Sequence, residues 1–590
     1  MSSKVDFFEN KVLGHPAGLF VLFFTEMWER FSYYGMRAIL VIFLTAQLTA
    51  DNAGWAWDTS AALSLLGTYA MFVYLTPIMG GYLADKVIGY RMAVVIGALL
   101  MTLGHAAMAF ETPMFLYIGI TLLIFGNGFF KPNMTSIISK MYEGHDEKKD
   151  GAYNLFYMGV NAGAFLGILL CGWVGEKIGW SYGFGLAGIF MFLGMLQFYF
   201  AQPLFGNIGD KPTEEEKAAE RVAAAKALAD VNSKEKRNPF LPVDYVLTVI
   251  FVVSALIFII NDPLSKIGGI KTLSFNLFGM PESLGFALIA AITFIILLAV
   301  RIPRYSTIER DRMIAFTIFC LFTVFFWAAF EQAAGSMPIY IRDFTDRVLD
   351  GTAGTTFKIF DLIVTVVPLL IISYVLLSLF RKTHTQIGLS NIILGVSFLI
   401  VWAIVGYKLY TEFTSSESTE IPITWFAILN SLFIILFAPL FTKWWDSRYN
   451  PPASVKYFLG LFLLGLGFAF LAFGARNLPL GAEGAALSVA WVVLAYLFHT
   501  LGELCLSPMG LSYLSKLIPA RMIAFMFGVY YLAIAIGNKL AHYVGGDMEH
   551  IVQTKGLSWF FLIFTLIPIG IGVVSLVLHP LLKRLMHGVK

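Results

Sequence analysis

The chain has 590 residues, of which 58% are hydrophobic, 16% aromatic and 13% charged, against about 45–50% apolar and about 25% charged in an ordinary soluble protein. Each bilayer span uses about 20 mostly apolar residues, and such stretches follow one another here almost without a break, which excludes a string of soluble domains. A formal net charge of +3 excludes the basic footprint of a nucleic-acid partner.

The first fifteen residues are polar. The apolar run after them contains Glu26, Glu29 and Arg30, unlike the uncharged core of a cleavable signal peptide, so it reads as the first permanent span. Apolar run length predicts spans near 18–46, 61–84, 91–110, 114–139, 152–175 and 181–201. The polar stretch from Gln202 to Val243 reads as a cytoplasmic linker, and its core, Glu214–Val231, is rich in strong helix formers between Pro212 and Pro239. A hairpin of spans is predicted near 243–261 and 284–301, a single span at 312–337, a second hairpin at 359–380 and 388–410, and five more spans near 422–443, 456–475, 486–514, 521–544 and 556–583. The chain is then an all-α integral membrane protein of about sixteen spans, and removing both hairpins leaves six plus six.

The predicted organisation is a six-helix bundle at 1–202, a linker with an amphipathic helix at 203–242, and an extra hairpin at 243–302. The first helix of a C-terminal bundle with its loop follows at 303–357, a second extra hairpin at 358–411, and the remaining five helices at 412–590. Short cytoplasmic loops collect Lys and Arg. With both termini inside, that side receives Lys86 with Arg91, Lys140 with Lys148 and Lys149, Arg301 to Arg312, Arg381 with Lys382, Lys443 with Arg448, Lys516 with Arg521, and the tail Lys583, Arg584 and Lys590.

An ionisable group inside a span costs about 2.5–3.5 kcal/mol on insertion scales, so each needs a partner or a wet cavity. At 100° per residue, Glu26, Glu29, Arg30, Tyr33, Tyr34 and Arg37 fall on one face roughly 140° wide. That face suits a polar cavity between helices, with Glu26 and Arg30 paired at i, i+4; a buried salt-bridge network that fixes packing is the alternative. Lys131 interrupts the fourth span with no acid within one helical turn, so its partner must come from another helix. Glu331 and Glu503 lie in long apolar helices without a local cation, and each reads as a proton carrier or a cation anchor. Asn161 and Asn430 add amides that hydrogen-bond in either direction. The three cysteines, Cys171, Cys320 and Cys505, sit apart in apolar runs and frame no disulfide or zinc site. There is no phosphate-binding loop of an ATP-driven pump, and no cofactor is implied.

Gly80–Arg91, with Asp85 and Arg91, resembles the loop signature of the major facilitator superfamily, in which these residues brace a cytoplasmic gate. E-x-x-E-R-F-x-Y-Y-G from Glu26 to Gly35 matches the most specific motif of the proton-dependent oligopeptide transporters, a branch of that superfamily. Tyr74 with Pro77, Lys131-Pro132, Tyr157 with Asn161 and Gly163, Trp327 with Glu331 and Gln332, Asn430, and Glu503 with Ser507 and Pro508 extend the resemblance over the six-plus-six core except its tail.

The resemblance implies a major facilitator fold, two bundles rocking about a central site, and uptake of di- and tripeptides with protons across a bacterial inner membrane. In it, Arg37 and Lys131 receive the peptide carboxylate, Glu503 with Asn161 and Asn430 holds the ammonium, and Tyr33, Tyr34, Tyr74, Tyr157, Trp327, Ser507 and Tyr530 line the pocket. Glu26, Glu29, Arg30, Lys131 and Glu331 carry the proton coupling. Tyr530 stands where the family has tryptophan, and the hairpin at 358–411 stands where it has a short connection. Neither hairpin shows a membrane-buried acid–base pair on this reading, so both are expected to lie apart from transport, packed on the bundle or against an unknown partner or membrane lipid. Two alternatives stay open: a carrier of the same fold for nitrate, an amino acid or a drug, and a polytopic membrane enzyme.

Overall fold

The computed structural model describes residues 7, 11–50, 52–214, 218, 238–269, 276–277, 279–414, 419–481, 484, 486–517 and 523–589. The side chains of 146–147, 281–283, 507–516 and 523–525 fall outside that description. Apart from residues 214 and 218, the linker helix expected at Glu214–Val231 lies outside the described residues.

Sixteen helices of 18 residues or more run through the described chain. The first half consists of α1 (Ala17–Thr45), α2 (Thr59–Leu83), α3 (Tyr90–Met108), α4 (Pro113–Met141), α5 (Asp146–Lys177) and α6 (Trp180–Phe200). A hairpin follows, α7 (Pro242–Gly268) and α8 (Glu282–Arg301), then α9 (Thr307–Phe330). The second hairpin is α10 (Gly351–Thr383) and α11 (Gly388–Thr414), and the chain closes with α12 (Ile428–Trp445), α13 (Ala453–Gly474), α14 (Val489–Leu517), α15 (Ile523–Gly545) and α16 (Leu557–Val577). Among the described residues, fourteen helical stretches are long and apolar enough to cross a membrane. The first helix, α1, is not among them because it carries Glu26, Glu29, Arg30 and Arg37.

In the first half α1 packs on α5 and α6, α3 on α4 and α6, and α2 on α4; in the second, α13 packs on α14 and α16, α9 on α15 and α16, and α12 on α14. The α1–α5 contact is set by small residues, as expected where no hydrophobic force drives helices together in lipid. Gly159, Gly163 and Gly167 of α5, four residues apart, face Phe23, Met27 and Phe31 of α1, and a Cβ on Gly163 would stand 2.1 Å from Met27 O. The ionisable face of α1 borders this contact, since a Cβ on Gly163 would also stand 2.9 Å from Arg30 Cβ.

One predicted span is broken. The run expected at 312–337 leaves α-geometry at Glu331, passes through a 3₁₀ turn (Glu331–Ala333) and resumes as the short helix Ser336–Phe344. Gln332 Nε2 donates across to Ala541 O on α15 at 2.6 Å, and Gln332 Oε1 accepts from Ser336 Oγ, so the turn is pinned by its own side chains.

The hydrogen bonds and ion pairs that join the halves cluster at one end, formed by the end of α1, the start of α2 and the end of α5. There Arg342 donates to Thr45 Oγ1, Glu549 binds Thr59, and the Glu176 carboxylate accepts from the backbone N–H groups of Ile423 and Thr424 and from Thr424 Oγ1. We refer to it as the closed end.

The hairpins depart from the sequence reading. Asp361 of α10 forms a buried ion pair with Lys408 of α11, and Asp262 of α7 is buried against Lys539 of α15. Both hairpins therefore carry the membrane-buried charges that were not expected of them. The helices run further than their apolar runs, placing Asp262 and Asp361 inside rather than at the rim.

Candidate functional site

The ionisable face of α1 looks into the protein. Arg30 Nε donates to Glu26 Oε1 at 2.8 Å and stands 3.0 Å from Glu29 Oε2, and all three side chains are buried. From α4, Asn127 Nδ2 donates to Glu29 Oε1 at 3.0 Å. Lys131, one turn further along α4, lies within electrostatic reach of Glu29 and Glu26 of α1, though among the described residues neither is within ion-pair distance of it. Pro132 follows Lys131 inside α4; a proline there removes one backbone donor and loosens the turn that carries the lysine. The group is neutral as a whole, two carboxylates against two cations, which keeps the cost of burying it low.

Arg37, two turns further along α1 from Arg30, forms an ion pair with Glu331 at the broken end of α9, across the interface of the halves. Arg37 Nε is buried without a hydrogen-bond partner among the described residues.

Tyr74 of α2 connects these charges. Lys131 Nζ sits 4.8 Å from the centre of its ring, and the ring stacks on Tyr531 of α15 with centroids 6.4 Å apart. Its hydroxyl is within electrostatic reach of Arg30, Arg37 and Glu503, groups drawn from both halves. Tyr33 and Tyr34 stand edge to face at 5.0 Å beside it.

In the second half, Glu503 Oε2 accepts from Asn430 Nδ2 at 2.9 Å, and the same amide donates to Thr500 Oγ1 at 3.1 Å. Among the described residues no cation stands within ion-pair distance of Glu503, whereas Tyr34, Tyr74 and Tyr157 of the first half are within its electrostatic reach. A cavity of about 140 Å³ adjoins this region, lined by Thr323, Trp327, Tyr457, Leu506, Tyr530 and Tyr531.

Other expected residues are placed differently. Asn161 Nδ2 donates to the carbonyl of Tyr157 on its own helix at 2.9 Å rather than to a neighbour. The side chain of Ser507 lies outside the described residues. Asp85 is exposed on the turn after α2 and is not among the partners found for Arg91. Instead Arg91 pairs with Asp210 and donates to Gly206 O at 3.0 Å, tying α3 to the segment after α6. Gly89, at φ +81°, permits that close approach, since a Cβ there would stand 2.7 Å from the backbone at 210–211.

Sequence reasoning missed Asn127, Tyr457 and Tyr531. Asn127 was within reach of it, because a residue four before Lys131 shares its face of α4. Tyr531 was not, since nothing local shows which of two adjacent tyrosines meets the other half.

Two six-helix halves joined at one end, with ionisable residues of both gathered at their interface, define a secondary transporter of the major facilitator fold. A sequence model described as the POT family matches residues 91–408 and 397–559, and the chain belongs to that family. The two matched stretches meet inside α11 of the second hairpin. Among relatives, the chain is 31% identical to "Uncharacterized transporter YclF" of Bacillus subtilis over 98% of its own length and 96% of the relative's. It is 27% identical to a "Di-/tripeptide transporter" of Lactococcus lactis subsp. cremoris over 99% of both. Among solved structures, it is similar to a peptide transporter POT in complex with alafosfalin (TM-score 0.68, 28% identity, 99% of this chain and 98% of that one). It is also similar to a POT family transporter in complex with a thioalcohol-conjugated peptide (TM-score 0.67, 26% identity, 97% and 98%).

Proposed function

We propose that this protein is a proton-coupled symporter that takes up di- and tripeptides by alternating access, with both termini in the cytoplasm of a bacterium and the spans in its inner membrane. The observation that carries the reading is the charge balance at the interface. Glu26, Glu29, Arg30 and Lys131 form one set on α1 and α4, Arg37 pairs with Glu331, and Glu503 alone faces them without a cation in ion-pair range among the described residues. A peptide zwitterion supplies the missing charge: its ammonium suits Glu503 and Asn430, while its carboxylate suits Lys131 and the unpartnered Nε–H of Arg37. Tyr33, Tyr34, Tyr74, Tyr157, Trp327 and Tyr530 offer amphipathic walls to side chains of varied size.

Coupling follows from the same pairs. A proton on Glu331 releases Arg37 toward a carboxylate, and a proton in the Glu26–Glu29–Arg30 set releases cationic charge toward Lys131 and the site. A ligand held by opposite halves favours closure around it, as at the midplane sites of repeat-built carriers. The closed end, rich in cross-half bonds, is then the outer one. One charge crossing 100 mV supplies about 2.3 kcal/mol, or roughly 50-fold accumulation.

The test is competition against labelled dialanine uptake in proteoliposomes. Di- and tripeptides should compete, whereas N-acetyl-dialanine, dialanine amide, free alanine and nitrate should not. Competition by nitrate or free alanine in place of peptides assigns the fold another substrate, and product formation without a gradient assigns an enzyme.

A further inference from the structure

The two hairpins, to which the transport reading gives no role, share one arrangement. The first packs its helix α7 on α2 of the first half. The Asp262 carboxylate accepts from Ser64 Oγ of α2 at 2.5 Å, binds Lys539 Nζ of α15 at 2.5 Å, and holds Lys266 at 3.2 Å from its other oxygen. The Lys539 ammonium also donates to Thr68 Oγ1 of α2 at 2.9 Å. One carboxylate of the hairpin thus ties α2 of the first half to α15 of the second.

The second hairpin leaves the second half in sequence but lies against the first half in space. Its helix α11 packs along α6, Ser390 Oγ donates to Gln197 O at 2.8 Å, and Phe398 sits edge-on to Phe24 and Trp28 of α1, with centroids 5.7 and 5.6 Å away. The neck stays with the second half: Val348–Leu349 pairs with Thr419–Glu420, and Thr345–Asp346 pairs with Leu487–Ser488 before α14. Between body and neck, Asp361 is fully buried, paired with Lys408, and accepts from Trp425 Nε1 at 2.7 Å. Trp425 precedes α12 and adjoins Thr424, whose backbone N–H and hydroxyl both reach Glu176 of α5.

We infer that both hairpins are clasps of the closed end: each rides on the first half and grips the second through one buried aspartate, Asp262 on Lys539 and Asp361 on Trp425. Opening that end must separate both pairs. The clasps differ in strength: parting Asp262 from Lys539 leaves Asp262 with Lys266 but strands the buried Lys539 ammonium, whereas Asp361 keeps Lys408 when Trp425 leaves and a single N–H loses its acceptor. Each therefore biases the carrier toward the state closed at that end, and removing a clasp shifts the population the other way. The inference rests on alternating access but not on the substrate, so its test needs no peptide.

The experiment is a spin-label distance measurement on the full chain in nanodiscs, with nitroxides on Gln47→Cys and Gln553→Cys, both exposed at the closed end on opposite halves. The three native cysteines are buried away from the label. Lys539→Met should raise the ratio of longer- to shorter-distance populations about a hundredfold or more and Trp425→Phe about tenfold. The paired neutralisation Asp262→Asn with Lys539→Met leaves only Lys266, which is 24% exposed, without its acid, and serves if the single variant does not fold. An unchanged distance distribution in Lys539→Met or the paired variant overturns the first clasp, and an unchanged one in Trp425→Phe overturns the second.

Discussion

Arg37 and Glu331, 294 residues apart in the chain, form an ion pair across the interface of the two halves. Their side chains are only 9% and 6% exposed, so the pair lies out of reach of bulk screening. Removing one partner of a buried pair leaves an uncompensated charge, at about 3–5 kcal/mol.

Glu331→Gln keeps the shape of the turn and removes that charge. It should abolish gradient-driven accumulation of dialanine while counterflow exchange persists at a substantial fraction of wild type. Equal loss of both activities in folded protein assigns Glu331 to architecture rather than coupling.

Glu29 accepts from Asn127 and neighbours Arg30 in the neutral cluster on α1 and α4. Glu29→Gln should follow the same pattern as Glu331→Gln, and Asn127→Ala should weaken coupling by a smaller factor, about tenfold, the low end for one hydrogen bond to a charged group. Full coupling in Glu29→Gln removes this cluster from the proton path.

Glu503 has Asn430 as its hydrogen-bond donor and no nearby cation among the described residues. Wild-type protein should prefer dialanine over N-acetyl-dialanine by about tenfold or more, the worth of one charge-assisted bond. Glu503→Gln should erase the preference, as read by competition binding, and a retained preference places the ammonium elsewhere.

Glu420 is exposed and lies between spans. Burial pushes its carboxyl up, but Arg347 and Lys177 outweigh this and hold it below the ordinary carboxylate range. Its contribution to the closed end is therefore fully present above about pH 4.3, the unperturbed value, and is lost as pH falls through the depressed one. The thermal midpoint should be less acid-sensitive in Glu420→Gln than in wild type below pH 4, and the two should run parallel from pH 5 to 8.

Part of this architecture was legible in the sequence. The spacing of Glu26, Glu29, Arg30 and Arg37 fixed their shared face because helical periodicity is local, and the position of Lys131 demanded an acid from another helix; Glu29 and Glu26 of α1 lie within its electrostatic reach. The hairpins were misjudged for an equally physical reason. Asp262 falls one residue beyond a predicted span and Asp361 two residues inside one, so neither showed as half of a buried acid–base pair. Their partners lie 277 and 47 residues away, and no local pattern connects such pairs. Asp210, the partner of Arg91, was hidden in the same way.

Proton coupling of peptide uptake is read from the accumulation of labelled dialanine in proteoliposomes under an inward pH gradient, with and without a protonophore. It predicts that peptide rises well above equilibrium with the gradient and collapses to equilibrium when the protonophore is added. Uptake that reaches only equilibrium under both conditions, or accumulation that survives the protonophore, contradicts it.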